Sequence, residues 1–128
     1  MKVKYKYYNA NPYMNETGDC VIRALSKFLD YTWEDSYSEL FNKSLEMKLL
    51  FNNNKCFRAY LQENLGLKEL EFDGKVKNLN INKKFKYIVL CKVADQEDCH
   101  LICIKNGILY DTSDSRNLEI LSYWKKED

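Results

Sequence analysis

The chain has 128 residues, of which 45% are hydrophobic and 30% are charged, a composition typical of one globular domain. Its 20 basic and 19 acidic residues nearly cancel, so we expect neither a nucleic acid nor a membrane surface as a partner. No apolar run approaches the roughly 20 residues of a membrane span, and the N-terminus lacks the apolar core of a signal peptide. Five cysteines, an odd number, argue against a disulfide framework. We therefore predict a single cytoplasmic domain over residues 1–128 with reduced thiols.

The N-terminal half of the sequence predicts mainly helices. Residues 3–8 predict a short edge strand, and residues 9–19 are rich in turn formers and predict a loop. Apolar residues at helical spacing predict a helix over 20–30, and a second helix that begins after Thr32. A short third helix is expected to end at Gly66, and residues 67–86 predict loops and a poorly defined strand. The second helix has an apolar stripe that we expect in the core, formed by Trp33, Tyr37, Leu40, Phe41, Leu45 and Leu49.

The C-terminal third is rich in residues that favour strands. Residues 87–94 and 100–105 are apolar at nearly every position, which is typical of central strands covered on both faces. Asn106-Gly107 predicts a two-residue hairpin turn into a strand at 108–113, and residues 118–124 predict a further strand. Helices followed by strands indicate an α+β fold, with N-terminal helices packed on a C-terminal antiparallel β-sheet.

A cysteine stands at the predicted start of the first helix, in the stretch "TGDCVIRAL". Backbone N–H groups at a helix start and a nearby imidazolium both lower the pKa of a thiol, and the thiolate is the nucleophilic form. Cys20 is therefore a candidate nucleophile. Its alternative role is that of a small packing residue, because free cysteines are often buried. Asp19 works against a thiolate through its charge, unless it caps the helix.

His100, the only histidine, begins a predicted strand. If Asn106 and Gly107 form the turn, Lys105 faces Ile108 and Ile102 faces Asp111. His100 and Asp111 are then diagonal neighbours on one face, about 7–8 Å apart at the backbone, and their side chains can meet. A carboxylate in that place would fix the tautomer of the imidazole. A shift of one residue would move Asp111 to the other face, and Asp114 would then be the alternative orienter.

The order of these residues resembles that of papain-like cysteine peptidases, most closely the small bacteriocin-processing type with its Asp-Cys pair at the helix start. The phrases "NETGDCVIRALS" and "HLICIKNGILYDTSDS" are also similar to small proteins of phages and low-GC bacteria. The resemblance implies a papain-like fold with Cys20 as nucleophile, His100 as general base and then acid, and Asp111 as orienter. The family has an oxyanion-hole Gln before the Cys; that position is Met14 here, so Asn15 beside it is a weak oxyanion candidate.

The resulting hypothesis is a thiol hydrolase that cleaves a peptide or isopeptide bond in a protein or peptide substrate, in the cytoplasm of a bacterium or a phage-infected host. An amidase or transglutaminase-like enzyme would use the same groups for acyl transfer. The alternative is a non-catalytic protein-binding module of the phage type, which blocks a host factor, because a fold does not fix a function. The oligomeric state is left open.

We expect no metal and no organic cofactor. Cys99 and His100 are adjacent and point to opposite faces of a strand, and no Cys-x-x-Cys pair exists, which disfavours zinc. Arg23, one turn after Cys20, is placed on the polar side of its helix, where it either binds a substrate carboxylate or forms a surface ion pair.

Overall fold

A computed structural model describes residues 2–93 and 99–128, and these form an α+β structure with three helices and a five-stranded mixed sheet. The helices are α1 (Cys20–Leu29), α2 (Trp33–Met47) and α3 (Asn54–Ala59), and α3 continues into a π-helical turn at Tyr60–Asn64. The strands are β1 (Lys4–Tyr7), β2 (Phe85–Lys92), β3 (Cys99–Lys105), β4 (Ile108–Asp111) and β5 (Glu119–Glu127). The predicted α+β class is therefore confirmed.

The strands lie in the order β1-β4-β3-β2-β5, and the sheet is mixed. The prediction of an antiparallel sheet is wrong at one edge, because β1 pairs with β4 in parallel, with Lys4 beside Ile108 and Tyr7 beside Asp111. Nothing local in the sequence specifies this pairing, because a short polar edge strand has no residue pattern from which its neighbouring strand can be predicted. The edge position predicted for residues 3–8 is confirmed.

The hairpin between β3 and β4 has the predicted two-residue turn. Asn106 and Gly107 have φ values of 54° and 74°, the left-handed backbone that a type I′ turn requires at both central residues. Lys105 pairs with Ile108 and Cys103 with Tyr110, which is the predicted register. Continued by one position, this register sets Asp111 opposite Ile102. Strand β4 ends at Asp111, two residues before the predicted boundary, because the chain bends directly after Asp111.

Two apolar cores cover the two faces of the sheet, as the continuous apolar runs of β2 and β3 predict. On one face, Ile88 and Leu101 pack with α1 and with the residues of α3 and its π-helical turn. On the other face, Val89 and Ile104 pack with Val3 and with the segment around the 3₁₀ turn Val76–Asn78. Residues 67–86 thus contribute a buried covering layer and two isolated β-bridges to β5. Position 94 of the predicted strand 87–94 lies outside the described residues.

Helix α2 begins as predicted, because the Thr32 hydroxyl accepts a hydrogen bond from the Asp35 N–H at 3.1 Å. Its predicted core stripe is largely wrong. Only Leu40 is fully buried, whereas Tyr37, Phe41 and Leu45 are 39%, 44% and 51% exposed. The helix packs mainly against α1 and α3, so its outer apolar side has no covering layer among the described residues.

Three rings on α2 stack on one another and form what we call the α2 aromatic stripe, the half-buried Trp33 and the exposed Tyr37 and Phe41. The ring centroids of Trp33 and Tyr37 are 5.3 Å apart, and those of Tyr37 and Phe41 are 6.0 Å apart. Stacking lets each ring shield its neighbour from water, which offsets part of the cost of leaving the stripe uncovered.

The boundaries of the other helices follow the predictions closely. Helix α1 ends at Leu29, with Asp30 in the left-handed conformation that ends many helices. Gly66 follows the π-helical turn with a φ of 67°, as expected of a helix-terminating glycine. Asn53, predicted as part of a helix break, caps α3, because its side chain accepts a hydrogen bond from the Lys55 N–H at 2.9 Å.

Candidate active site

The parallel pairing of β1 with β4 places Asp111 beside the end of the N-terminal strand. The backbone carbonyl of Asp111 accepts hydrogen bonds from the Tyr8 N–H at 2.9 Å and from the Tyr5 hydroxyl at 3.2 Å. From Tyr8 the chain turns through the loop 8–19 and enters α1 at Cys20. Because β1 ends beside Asp111, this short connection brings the start of α1 to the end of the β3–β4 hairpin.

His100 and Asp111 meet as the hairpin register predicts. The Nε2 atom of His100 lies 2.6 Å from Oδ2 of Asp111, which is only 3% exposed. The same carboxylate accepts a hydrogen bond from the Ser115 hydroxyl at 2.5 Å and one from the Thr112 N–H at 2.7 Å. Burial alone would raise the pKa of Asp111, but hydrogen bonds from His100, Ser115 and Thr112 and the charge of His100 lower it. Asp111 is thus held as a carboxylate.

Cys20 is the first residue of α1 and is half-buried. Burial by itself would raise the pKa of its thiol, but hydrogen bonding by His100 and by the Leu101 backbone, together with the charges of His100 and Arg23, lowers it. Burial by itself would lower the pKa of His100. The hydrogen bonds and charges of Asp111 and Cys20 outweigh burial and raise the pKa of His100 to about 9. Each group thus favours the charged form of the other, which is the basis of a thiolate–imidazolium pair.

The other thiols have a different environment. All five cysteines are free, as predicted. Burial raises the pKa of Cys56, Cys91 and Cys103, to about 12 in the last case, and this keeps them as protonated packing residues. Cys99 is half-buried, and its sulfur accepts a hydrogen bond from the Asn54 amide at 3.4 Å. The raised pKa of the Cys56, Cys91 and Cys103 thiols is opposite in direction to the lowered pKa of Cys20.

Arg23 is buried between two carboxylates, which corrects its predicted place on the polar side of α1. It is 7% exposed, its Nη1 forms an ion pair with Asp19, and its Nη2 lies 3.5 Å from Oδ1 of Asp111. The guanidinium therefore has two intramolecular partners, and the expectation that it binds a substrate carboxylate is not supported by its position. Its role in the structure is to join the start of α1 to the end of β4.

Asp19 stands at the N-cap position of α1, yet its side chain makes no capping hydrogen bond. Its carboxylate instead pairs with Arg23 and accepts a hydrogen bond from the Trp33 indole N–H at 2.9 Å. The residue is 2% exposed. The charge beside Cys20 is thus compensated by Arg23, which removes the objection that Asp19 would raise the pKa of the thiol.

The two weaker candidates lie apart from this cluster. Asp114 is bound to Arg116, with its Oδ2 atom 2.7 Å from Nη2 of that residue, so the structure pairs His100 with Asp111 rather than with the alternative orienter. Asn15 is exposed and lines a depression with Tyr13 and Glu34 that does not include Cys20. Trp33 and Glu34 at the start of α2 line the same depression, and Asn15 is not among the residues that line the cleft beside Cys20.

A cleft of about 600 Å³ opens beside Cys20. Its apolar lining includes Val21, Phe57 and Leu101, and its polar lining includes the residues from Asn52 to Lys55 at the start of α3, with Arg58 one turn further along the helix. Cys20 and Cys99 both line it. The nucleophile candidate is thus accessible from a cleft large enough for a peptide segment.

Sequence reasoning missed two residues of this cluster. Ser115 was not considered, although a Ser/Thr-rich turn after a strand-ending Asp often returns hydroxyl groups to that carboxylate. The ion pair of Arg23 with Asp19 has a local signal, the spacing of four residues on one helix, but its contact with Asp111 has none because Asp111 is distant in the chain. In residues 2–93 and 99–128, no three His, Cys, Asp or Glu side chains are grouped as a metal site would require.

A scan of protein-family models, a search of curated proteins and a search of solved structures each find no match to this chain. Of the helices within residues 2–93 and 99–128, none combines the length and the apolar character needed to span a bilayer.

Proposed function

We propose that this chain is a cysteine peptidase-like thiol hydrolase that cleaves a peptide or isopeptide bond with Cys20, His100 and Asp111. The observation that carries the proposal is the 2.6 Å contact between His100 and the buried Asp111, beside a helix-start thiol whose pKa His100 lowers by hydrogen bonding and charge. Asp111 is the hydrogen-bond partner of Nε2 of His100, so Nδ1 of the imidazole is available to the thiol of Cys20. Nucleophile, base and orienter are the three roles that covalent acyl transfer requires.

In this reaction the Cys20 thiolate attacks the carbonyl carbon, and a C–S bond forms while the carbonyl π electrons move to oxygen. Protonated His100 then gives its proton to the leaving amine, the C–N bond breaks, and a thioester remains. Neutral His100 next takes a proton from water, whose oxygen attacks the thioester and releases the acid product and the thiolate. Asp111 holds the imidazole in the required tautomer throughout.

The oxyanion of the tetrahedral intermediate needs hydrogen-bond donors near Cys20. The N–H groups in the first turn of a helix have no intrahelical partner, and Cys20 is the first residue of α1. We assign the donor role to this helix start, in place of Asn15. The helix dipole acts in the same direction, because its positive end lies at the developing negative charge.

Within this proposal, the particular fold is papain-like. It is supported by the order of the three residues along the chain and by their elements: a cysteine that opens a helix, a histidine that begins a strand, and an aspartate that ends the next strand. Cleavage of a peptide bond is our first choice of reaction. Amide hydrolysis or transglutaminase-like acyl transfer would use the same three groups.

A non-catalytic protein-binding module, of the kind that a phage uses to block a host factor, is the alternative. The observation that favours it is the α2 aromatic stripe, because neighbouring exposed rings such as Tyr37 and Phe41 are typical of protein-binding surfaces. In that case Cys20 would be a packing residue, and its reactivity would be ordinary.

The test combines labelling with cleavage. Wild type, Cys20→Ala and His100→Gln are incubated with a degenerate peptide mixture and with an isopeptide-linked peptide, and new termini are identified by mass spectrometry. We expect cleavage by wild type alone, and faster reaction of wild-type Cys20 with iodoacetamide at pH 7 than of free cysteine. If Cys20 reacts with iodoacetamide no faster than free cysteine and no cleavage is found, the protein-binding module becomes the favoured function.

A further inference from the structure

The rim of the cleft beside Cys20 carries positive charge. Lys55 is exposed and Arg58 is half-buried, and both line the cleft. Among the residues that the structure describes, no side chain with a carboxylate lines it. This local excess is not a property of the whole chain, whose formal net charge is only +1.

Arg58 forms an ion pair with Glu69, in which its buried Nε atom lies 3.4 Å from Oε1 without a hydrogen bond. The other oxygen of Glu69 accepts a hydrogen bond from the Ser122 hydroxyl at 2.6 Å, so this carboxylate is shared. Glu69 therefore compensates the charge of Arg58 only in part, and with the exposed Lys55 the rim keeps a net positive charge among the described residues.

Three neutral amides line the same cleft. Asn52, Asn53 and Asn54 precede the two cations, and the side-chain amide oxygen of Asn53 accepts a hydrogen bond from the Lys55 backbone N–H. Val21 and Leu101 add apolar lining. The cleft therefore offers apolar side chains for carbon atoms and cationic and amide groups for an acidic group, and its low-dielectric lining concentrates the field of those charges.

We propose that this cleft selects a substrate that carries a carboxylate close to the bond attacked by Cys20. The inference rests on the proposed function, because it takes Cys20 as the group that meets the substrate. The carboxylate is supplied either by an acidic side chain or by the C-terminus of the substrate, and Lys55 and Arg58 are the residues that recognise it.

The first experiment compares two alkylating agents of nearly equal size, the anion iodoacetate and the neutral iodoacetamide. In both reactions the Cys20 sulfur attacks the CH₂ carbon, a C–S bond forms, the C–I bond breaks and iodide leaves. The ratio of the two rates reports the positive potential at Cys20. Each rate is measured at low ionic strength by quantifying modified Cys20, in wild type, Lys55→Gln, Arg58→Gln and the double variant.

We expect the double variant to lower the iodoacetate-to-iodoacetamide ratio by roughly fivefold, the effect of two unit charges several ångströms away in water. Lys84→Gln is the matched control, because it removes one positive charge from an exposed lysine outside the cleft, and its ratio should equal that of wild type. An unchanged ratio in the double variant, or an equal fall in the control, overturns the assignment. The iodoacetamide rate tests the nucleophile separately, so the two proposals fail independently.

The second experiment identifies the source of the carboxylate. Three probes share an iodoacetyl group: iodoacetyl-Glu amide, iodoacetyl-Gln with a free C-terminus, and iodoacetyl-Gln amide. Faster labelling of Cys20 by the first probe assigns an acidic side chain, and faster labelling by the second assigns a terminal carboxylate. Either advantage should disappear in the double variant. Equal rates for all three probes would overturn the proposal.

Discussion

His100 and Asp111 lie 2.6 Å apart across the end of a hairpin, and a turn several residues away determines that contact. Asn106 and Gly107 fix the register of β3 on β4, and the register decides which face Asp111 takes. The chemistry of the candidate site therefore depends on the backbone of two residues that do not touch it.

Gly107→Ala tests this dependence. At a φ of 74° an added Cβ is strained, so we expect a loss of about 1 kcal/mol in the free energy of unfolding and slower labelling of Cys20. Gly18→Ala is the control for stability, because a Cβ at Gly18 would meet nothing within 4 Å. Urea unfolding of both variants gives the comparison. Equal stability of the two would show that the turn does not hold the register.

Cys20→Ala should abolish labelling at position 20 and any cleavage while the fold remains intact. Cys20 is half-buried in a first helical turn, so the loss of its sulfur should cost about 1 kcal/mol or less. Cys103→Ala removes the same atom from a fully buried site and should cost more, about 1–2 kcal/mol. Thermal melts measure both. A Cys20→Ala variant that melts below Cys103→Ala would identify Cys20 as a packing residue.

The reactivity of Cys20 should depend on pH through His100. Because the thiol pKa is lowered and the His100 pKa is raised to about 9, the charged pair exists over a window between these two values. Alkylation should rise with pH through the lowered pKa of Cys20 and then stay level. Cleavage should rise over the same range and fall near pH 9, where His100 loses the proton that the leaving group needs.

His100→Gln is expected to move the alkylation profile towards higher pH and to slow labelling at pH 7 by about fivefold or more, because the thiol loses its main source of stabilisation. Rates of iodoacetamide labelling across the pH range measure the shift. An unchanged profile would mean that the imidazole does not act on the thiol.

Asp111→Asn should reduce cleavage strongly and destabilise the fold at pH 7 by about 1–3 kcal/mol, since a buried carboxylate with several donors is replaced by an amide. The pKa of Asp111 is lowered from 3.8, so its stabilisation is present above about pH 4 and is lost as the pH falls through the native value. The difference in the free energy of unfolding between Asp111→Asn and wild type should therefore become smaller at acidic pH. Asp114→Asn, on an exposed loop, is the control and should change stability by less than about 0.5 kcal/mol.

Arg23→Met should be among the most destabilising single changes, because it leaves Asp19 buried without its cation and removes one of the two cations beside Asp111. Removal of one partner from a buried ion pair typically costs about 3–5 kcal/mol. Arg23→Lys should recover part of this loss, since it restores the charge but not the fork that bridges two carboxylates. Urea unfolding measures both variants. A cost below about 1 kcal/mol for Arg23→Met would contradict the bridging role.

The sequence predicted those features that local chemistry determines. The Asn-Gly turn specifies a two-residue hairpin, and that hairpin alone was enough to predict the His100–Asp111 contact. The parallel partner of β1 and the contact of Arg23 with Asp111 depend on residues far along the chain, for which no local pattern exists, whereas the Asp19–Arg23 ion pair has the i,i+4 spacing of a local pattern. The α2 stripe shows a further limit, since periodicity identifies an apolar face but does not tell whether another layer covers Tyr37 and Phe41.

The parallel pairing of β1 with β4 also bears on the order of events during synthesis. A ribosome releases Cys20 long before it releases His100 and Asp111, and β1 has no partner strand until β4 has emerged. During translation the thiol therefore has neither its imidazole nor the strand pairing that brings the two ends of the site together. The interactions with His100 that lower the pKa of the Cys20 thiol therefore arise only after β3 and β4 have emerged, and the nascent N-terminal segment carries a thiol without them.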